Sequence, residues 1–405
     1  MKFLLRHIQA NISALLLSLR FLAYALPATG ATQFEFADNS RLSSGTWYKI
    51  GVRASGVYCL TNDQIRQMGF SDPSKVKIYG YGGEQLHEKL SPEFVIDDLP
   101  QSPSELTGQG VVFYARGPVA WSQATDNAAA SHRINAFSDV AYYFVTENDE
   151  VRNTPVKDTS TPPGSSATAT TYFRDNLLHH LEQESASYSG HVYFGESLKG
   201  NDGVTVHFDL PGIVKESAGN KVLMRVSAFH HSTVSAYQTK FEVKTDSDDF
   251  TGGTFSARQS STESHVYGVM GTGQFSSSPT FGAESLNVTV TCDQSSNIDK
   301  ANLHYIEVSY LRYLKLEGNT LNFTLQSPDA VLAAADESVR VWDGSDPRSY
   351  TRLNAQADGD RIRWYYPTGH AWRRYVAWRT ADGLPRPEII GYTANQNLHA
   401  LATPD

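Results

Sequence analysis

Between residues 191 and 318 the chain repeats one pattern: short runs of apolar and β-branched residues broken by Gly, Asn, Asp and Ser. HVYFGESL (191–198), VTVHFDL (204–210), KVLMRVSAF (221–229), FEVKT (241–245), LNVTVTC (286–292) and NLHYIEVSYLRYLKLEG (302–318) all carry it. So many strand-like segments separated by turn residues predict a β-sandwich, jelly-roll-like in type. Long apolar helical stripes are missing, and Tyr, Phe, Ser and Thr are plentiful. That balance favours a mainly β protein.

Residues 47–83 form a second constraint. Tyr48, Ile50 and Val52 alternate with Trp47, Lys49 and Gly51, as in a strand with one buried face. Ser55-Gly56 punctuates a turn, and Val57, Tyr58 and Leu60 begin another strand. Thr61 and Gln64 have capping-box spacing for a short helix that carries Ile65 and Met68 and stops at Gly69. Val76 and Ile78 lead a third strand into YGYGG. Val111–Ala115 and Ala141–Val145 are continuous apolar runs, as expected of strands covered on both faces. The fold class predicted is therefore a small β-rich N-terminal domain with one short helix, followed by a β-sandwich region. Leu177, Leu178 and Leu181, near the start of the sandwich region, suggest at most a short helical turn.

Residues 152–170 (RNTPVKDTSTPPGSSATAT) have almost no large apolar side chains and read as a linker. The expected organisation is a signal peptide over 1–30, a domain over 31–151, the linker, and a sandwich region over 171–405 with a smaller β subdomain from about residue 319. The leader rests on basic Lys2 and Arg6, an apolar segment from Ile12 to Leu26, and two small-residue cleavage candidates; the mature chain would begin near Leu26 or Ala31. No later segment is long and apolar enough to span a membrane. The net charge of −9 offers no global case for nucleic acid.

Few residues offer chemistry. Cys59 and Cys292 sit in apolar or β-branched surroundings, and no spacing argument decides whether they pair. His132 reads as a hydrogen-bonded structural histidine. His179-His180 and His230-His231 invite a zinc reading, but neighbours on a strand point to opposite faces. Asp246, Asp248 and Asp249 lack the alternating spacing of a calcium loop. No catalytic residue, metal or other cofactor is expected. The strongest binding candidate is Arg361 to Arg379, expected as one hairpin: Arg361, Arg363, Trp364, Trp372, Arg373 and Trp378. Two readings stay open, a face that grips an anionic glycan or a partner's carboxylates, and an arginine–aromatic ladder that only stabilises a sheet.

WYKIGV, SGVYCLT, the helix ending MGF, VKIYGYGG, GQGVVFYARGPVAW, VAYYFVT, YFGES, ANLHYIEVSYLRYLKLEG, VWDGSDP and NQNLHALATPD occur in that order. This series resembles the N-terminal region of the PorU-type sortases of the type IX secretion system, which are gingipain-like cysteine peptidases. The chain departs from the family at Cys59, where a lysine is usual, and at Val192-Tyr193-Phe194, where a tryptophan is common. The family cleaves C-terminal sorting signals and attaches cargo to the cell surface. Its catalytic residues follow the NQNLHALATPD motif, so none carries over to this chain. The resemblance thus implies a non-catalytic scaffold or docking surface at the cell surface or outer membrane exterior. Its partners would be other type IX components and a downstream peptidase domain. The alternative is a free-standing secreted module that binds glycan or protein.

Overall fold

The computed structural model describes residues 36–89, 95–162, 164, 169–185, 192–200, 202–215, 220–262, 267–367 and 371–402. The predicted leader lies outside them. Contacts divide the chain into two units. The smaller takes Met1–Ser43, Leu86–Asp98 and Gln396–Asp405; the larger takes the rest. In the smaller unit, Asp97 and Asp98 accept the amides of Ala37 and Arg41 at 2.8 and 2.6 Å. His399 bridges the carbonyls of Ala37 and Asp97, so this residue of the closing motif is a clamp.

Among the described residues, the regular structure of the larger unit is all strand apart from one short helix, α1 (Asn62–Gln67). The capping box forms as predicted: Thr61 Oγ1 accepts the Gln64 amide at 3.2 Å, and Gln64 Oε1 accepts the Thr61 amide at 3.3 Å. Its first sheet runs in the order β25 (Glu388–Thr393), β1 (Trp47–Val52), β8 (Ala141–Glu147), β3 (Val76–Tyr79). A second holds β2 (Gly56–Thr61), β5 (Gly110–Ala115) and β4 (Ser104–Thr107) in that order. Every residue of β5 is buried because both faces are covered. Phe113 and Val111 enter a core with Ile50, Ile65 and Tyr143, while Val112 and Tyr114 enter another with Trp342, Val376 and Trp378.

The strands β10 (Tyr172–His180), β11 (Val204–Asp209), β12 (Leu223–Ser232), β13 (Tyr237–Thr245), β14 (Gly253–Gln259), β15 (Val269–Ser276), β16 (Ser285–Cys292) and β17 (Ile298–Tyr313) make the sandwich. Its sheets are ordered β10-β17-β12-β15 and β11-β16-β13-β14. Counted from one to eight, that is 1-8-3-6 facing 2-7-4-5, a jelly roll in which every connection but β13 to β14 changes sheet. One core fills it, with Phe208, Phe241, Leu286, Ile306 and Tyr310 fully or almost fully buried. Residues 177–180 belong to strand β10, so the helical turn expected there is absent. Pairing of Tyr172–His180 with Tyr305–Tyr313 along the full strand overrides the local leucine spacing.

Two further sheets follow, of five and of three strands. One is ordered β18 (Thr320–Leu325), β24 (Arg373–Trp378), β20 (Arg340–Asp346), β21 (Ser349–Arg352), β9 (Val156–Lys157). The other is β19 (Asp329–Ala333), β23 (Arg361–Tyr365), β22 (Gln356–Asp358). Phe323, Ile362, Trp364 and Tyr375 fill the core they share. Strand β9 falls inside the stretch read as a linker, and Val156 and Lys157 pair in parallel with Thr351 and Arg352. The last pair, β6 (Val119–Trp121) and β7 (His132–Ile134), stands alone.

Candidate functional site

The arginine–aromatic stretch does not form one hairpin. Strands β23 and β24 lie in different sheets, because β23 turns back on β22 at Gly359 and β24 inserts between β18 and β20. The six candidate residues are therefore dispersed. Trp364 and Trp378 are each 1% exposed and belong to separate cores. Arg363 clasps Asp329 with two bonds of 2.9 and 2.6 Å, and Arg361 is exposed beside Asp360. Only Trp372, 45% exposed, and Arg373 reach a common cavity.

That cavity is a cleft of about 690 Å3 in the larger unit, within the size range of small-ligand sites. The turn after β1 supplies Arg53, the end of β5 supplies Arg116, and β6 supplies Trp121. Strands β10 and β18 run along it, and Trp372–Arg374 complete it. Five arginines line the cleft (Arg53, Arg116, Arg174, Arg373 and Arg374) against one acid, Asp175.

The five differ in how their charge is met. Arg374 is bound to Glu84 at 2.7 Å, Arg53 to Asp139 at 2.5 Å, and Arg373 approaches Asp343 at 3.5 Å. Arg116 donates to the carbonyls of Gly344 and Ser345, at 2.7 and 2.5 Å. Arg174 donates to the Lys221 carbonyl at 3.5 Å. Among the described residues neither Arg116 nor Arg174 has a carboxylate partner. Burial pulls the Arg174 guanidinium below its ordinary pKa, with Asp126 opposing. Asp175 is already paired with Arg312 at 2.9 Å. The cleft therefore gathers more cations than acids on its lining, and Arg116, which is met only by backbone carbonyls, is the cation with the least acidic compensation.

Sequence reading marked Trp372 and Arg373 but missed Arg53, Arg116 and Arg174. These come from segments far apart in the chain, and no local spacing links them.

A second cluster lies between β7 and the sandwich. Glu307, 1% exposed, accepts the His132 amide at 2.7 Å, His132 Nδ1 at 2.6 Å and the Arg225 guanidinium. Burial alone would raise its pKa, but these bonds outweigh it and hold the carboxyl below its ordinary value. His132 Nε2 meets His180 Nδ1 at 2.7 Å, and the His180 ring packs edge-on to His304. Burial pushes His180 down to about 3 and His304 down to about 4. The cluster reads as a buried polar tie, in keeping with a structural His132.

Both thiols are buried and unpaired, Cys59 on β2 in the core with Trp342 and Trp378 and Cys292 in the jelly-roll core. Burial raises both, Cys292 to about 11, which disfavours the thiolate. Asp246 and Asp249 take up hydrogen bonds from Asn287 and from Ser278 and Thr280. Among the described residues no helix is long and apolar enough to cross a membrane.

No family model and no curated protein sequence matches the chain. Among solved structures, an isomalto-dextranase of Arthrobacter globiformis aligns at 11% identity over 62% of this chain and 39% of that one. The VP2 subviral particle of infectious bursal disease virus aligns at 10% identity over 90% and 85%. Both have a TM-score of 0.20, too low to carry an argument. Dimeric latent PorU from Porphyromonas gingivalis aligns at 26% identity and a TM-score of 0.76, over 91% of this chain and 35% of that one. The chain thus spans about a third of that protein's length, and over nearly all of its own it has a PorU-like fold.

Proposed function

We propose that the chain is the non-catalytic N-terminal region of a PorU-like sortase of the type IX secretion system. It acts as a scaffold or docking surface outside the cell, at the outer membrane. The observation that carries this reading is the likeness to PorU over 91% of the chain, in line with the ordered series of family motifs. The buried thiols support a role without nucleophilic chemistry, since a cysteine nucleophile needs an accessible thiolate. The cleft is the docking surface, because five arginines against one acid line it and half-exposed Trp372 adds aromatic area there. Co-sedimentation tests the reading. Tagged wild-type chain added to outer-membrane vesicles from a type IX-secreting bacterium associates saturably, and Trp372→Ala weakens the association. A chain that stays free of the vesicles at every concentration refutes it.

Exposed Trp372 beside arginines also favours the second reading, a glycan-binding module. Saturable glycan binding that Trp372→Ala abolishes, without vesicle association, would select it.

A further inference from the structure

Six consecutive residues of β10, Phe173 to Leu178, line the cleft, as do three consecutive residues of β18, Asn322 to Thr324. Neighbours on a strand point to opposite faces, so an unbroken lining run means that a strand turns its edge to the cavity. Among the described residues both strands are edges: β10 pairs with β17 alone, and β18 with β24 alone. A sheet edge offers a row of backbone donors and acceptors on which another extended chain can pair. Here that row runs beside the two arginines that lack a carboxylate partner, Arg116 and Arg174, and beside half-exposed Trp372.

We infer that the cleft takes an extended acidic peptide segment, which adds as a strand along the edge of β10 and sets its carboxylates on Arg174 and Arg116. Main-chain bonds to the edge supply affinity and the arginines supply selectivity, as in recognition by strand addition. The lining run of β10 is about 20 Å long at roughly 3.3 Å per residue, enough for about six peptide residues. Asp175, the acid on this edge, is paired with Arg312 at 2.9 Å and also accepts the Asn176 amide at 2.9 Å and the Tyr310 hydroxyl at 3.4 Å, so its charge is already met within the fold. An acidic glycan would satisfy the arginines but has no row of amides to match the two edges. This inference rests on the reading of the cleft as a docking surface.

The probe is a fluorescein-labelled alternating Thr-Glu peptide of about eight residues, titrated into the full chain at low salt and followed by anisotropy. Three controls accompany it: a Thr-Lys peptide, a Thr-Glu peptide N-methylated at alternate residues, and oligogalacturonate. The expected result is saturable binding of the Thr-Glu peptide alone. Arg174→Glu weakens it at least tenfold, and backbone amides of the Phe173–Leu178 run other than Asn176, which already donates to Asp175, exchange more slowly in the wild-type complex. The exchange measurement keeps the test valid if Arg174→Glu fails to fold. Equal binding of the N-methylated peptide, binding of oligogalacturonate in place of the peptide, or unchanged exchange along β10 overturns the inference. If the peptide fails while vesicle association persists, the acidic-peptide inference falls and the docking reading stands; if both fail, both fall.

Discussion

At the scale of single residues, the tryptophans of the arginine-rich stretch separate structure from surface. Trp364 and Trp378 fill cores, so truncation to alanine leaves a large cavity and costs about 3–5 kcal/mol each. Trp372 is nearly half exposed and its truncation changes stability by no more than about 0.5 kcal/mol. Urea denaturation of the three variants measures this. The residue types were legible in the sequence and their depth was not, since an aromatic and an arginine at strand spacing look alike in a core and in a cleft. The histidines make a second prediction. Folded His180 and His304 bind protons more weakly than the ordinary 6.5, at about 3 and about 4. The unfolded chain therefore takes up more protons, and stability falls as pH drops from about 6.5 toward 3. At about 1.4 kcal/mol per unit of difference, the two histidines together account for a loss of several kcal/mol, about 8 at the most. A His180→Gln/His304→Gln variant shows a flatter denaturation midpoint between pH 6.5 and 4 than wild type. An equally steep acid limb in both proteins refutes the assignment.

At the scale of elements, legibility followed the chemistry of the strand. The apolar runs of β5 and β8 and the capping box at Thr61 were readable because each has its own local signature. Strands β14 and β15 were not, since GTFSARQ and VMGTGQFS carry few apolar residues. Their glycines are there for close approach: a Cβ on Gly271 would stand 2.9 Å from the Ser256 carbonyl oxygen. Gly110, at the start of β5, is a sharper case. It has φ +148°, and a Cβ there would meet the Leu60 carbonyl oxygen at 2.1 Å. Gly110→Ala is therefore expected to cost at least about 2 kcal/mol and to loosen the pairing of β2 with β5. Thermal unfolding of that variant beside Gly108→Ala, where nothing lies within 4 Å of the added Cβ, isolates the effect.

At the scale of the molecule, the expected boundaries followed composition, and composition does not report pairing between distant segments. Strand β1 pairs with β25, and Val57, Cys59 and Tyr114 share a core with Trp342, Trp378 and Leu384. We propose that limited proteolysis cuts first within 158–170, where Pro, Ser and Thr dominate. The two fragments then co-elute under native conditions and separate only in denaturant. Early cuts within 190–230, or fragments that part without denaturant, contradict this. The cleft follows the same logic, for its arginines come from β10, β24 and the segments just after β1 and β5 and meet only in the folded chain.

The central claim is that this β-rich chain docks and does no chemistry itself. Incubation of the purified wild-type, Cys59→Ala and Cys292→Ala proteins with a sorting-signal peptide and a thiol-reactive probe tests it most directly. The account predicts no turnover by any of the three, and labelling of wild-type thiols that becomes rapid only on unfolding, because both sulfurs are buried. Turnover by the wild type that disappears in Cys59→Ala or Cys292→Ala would contradict it.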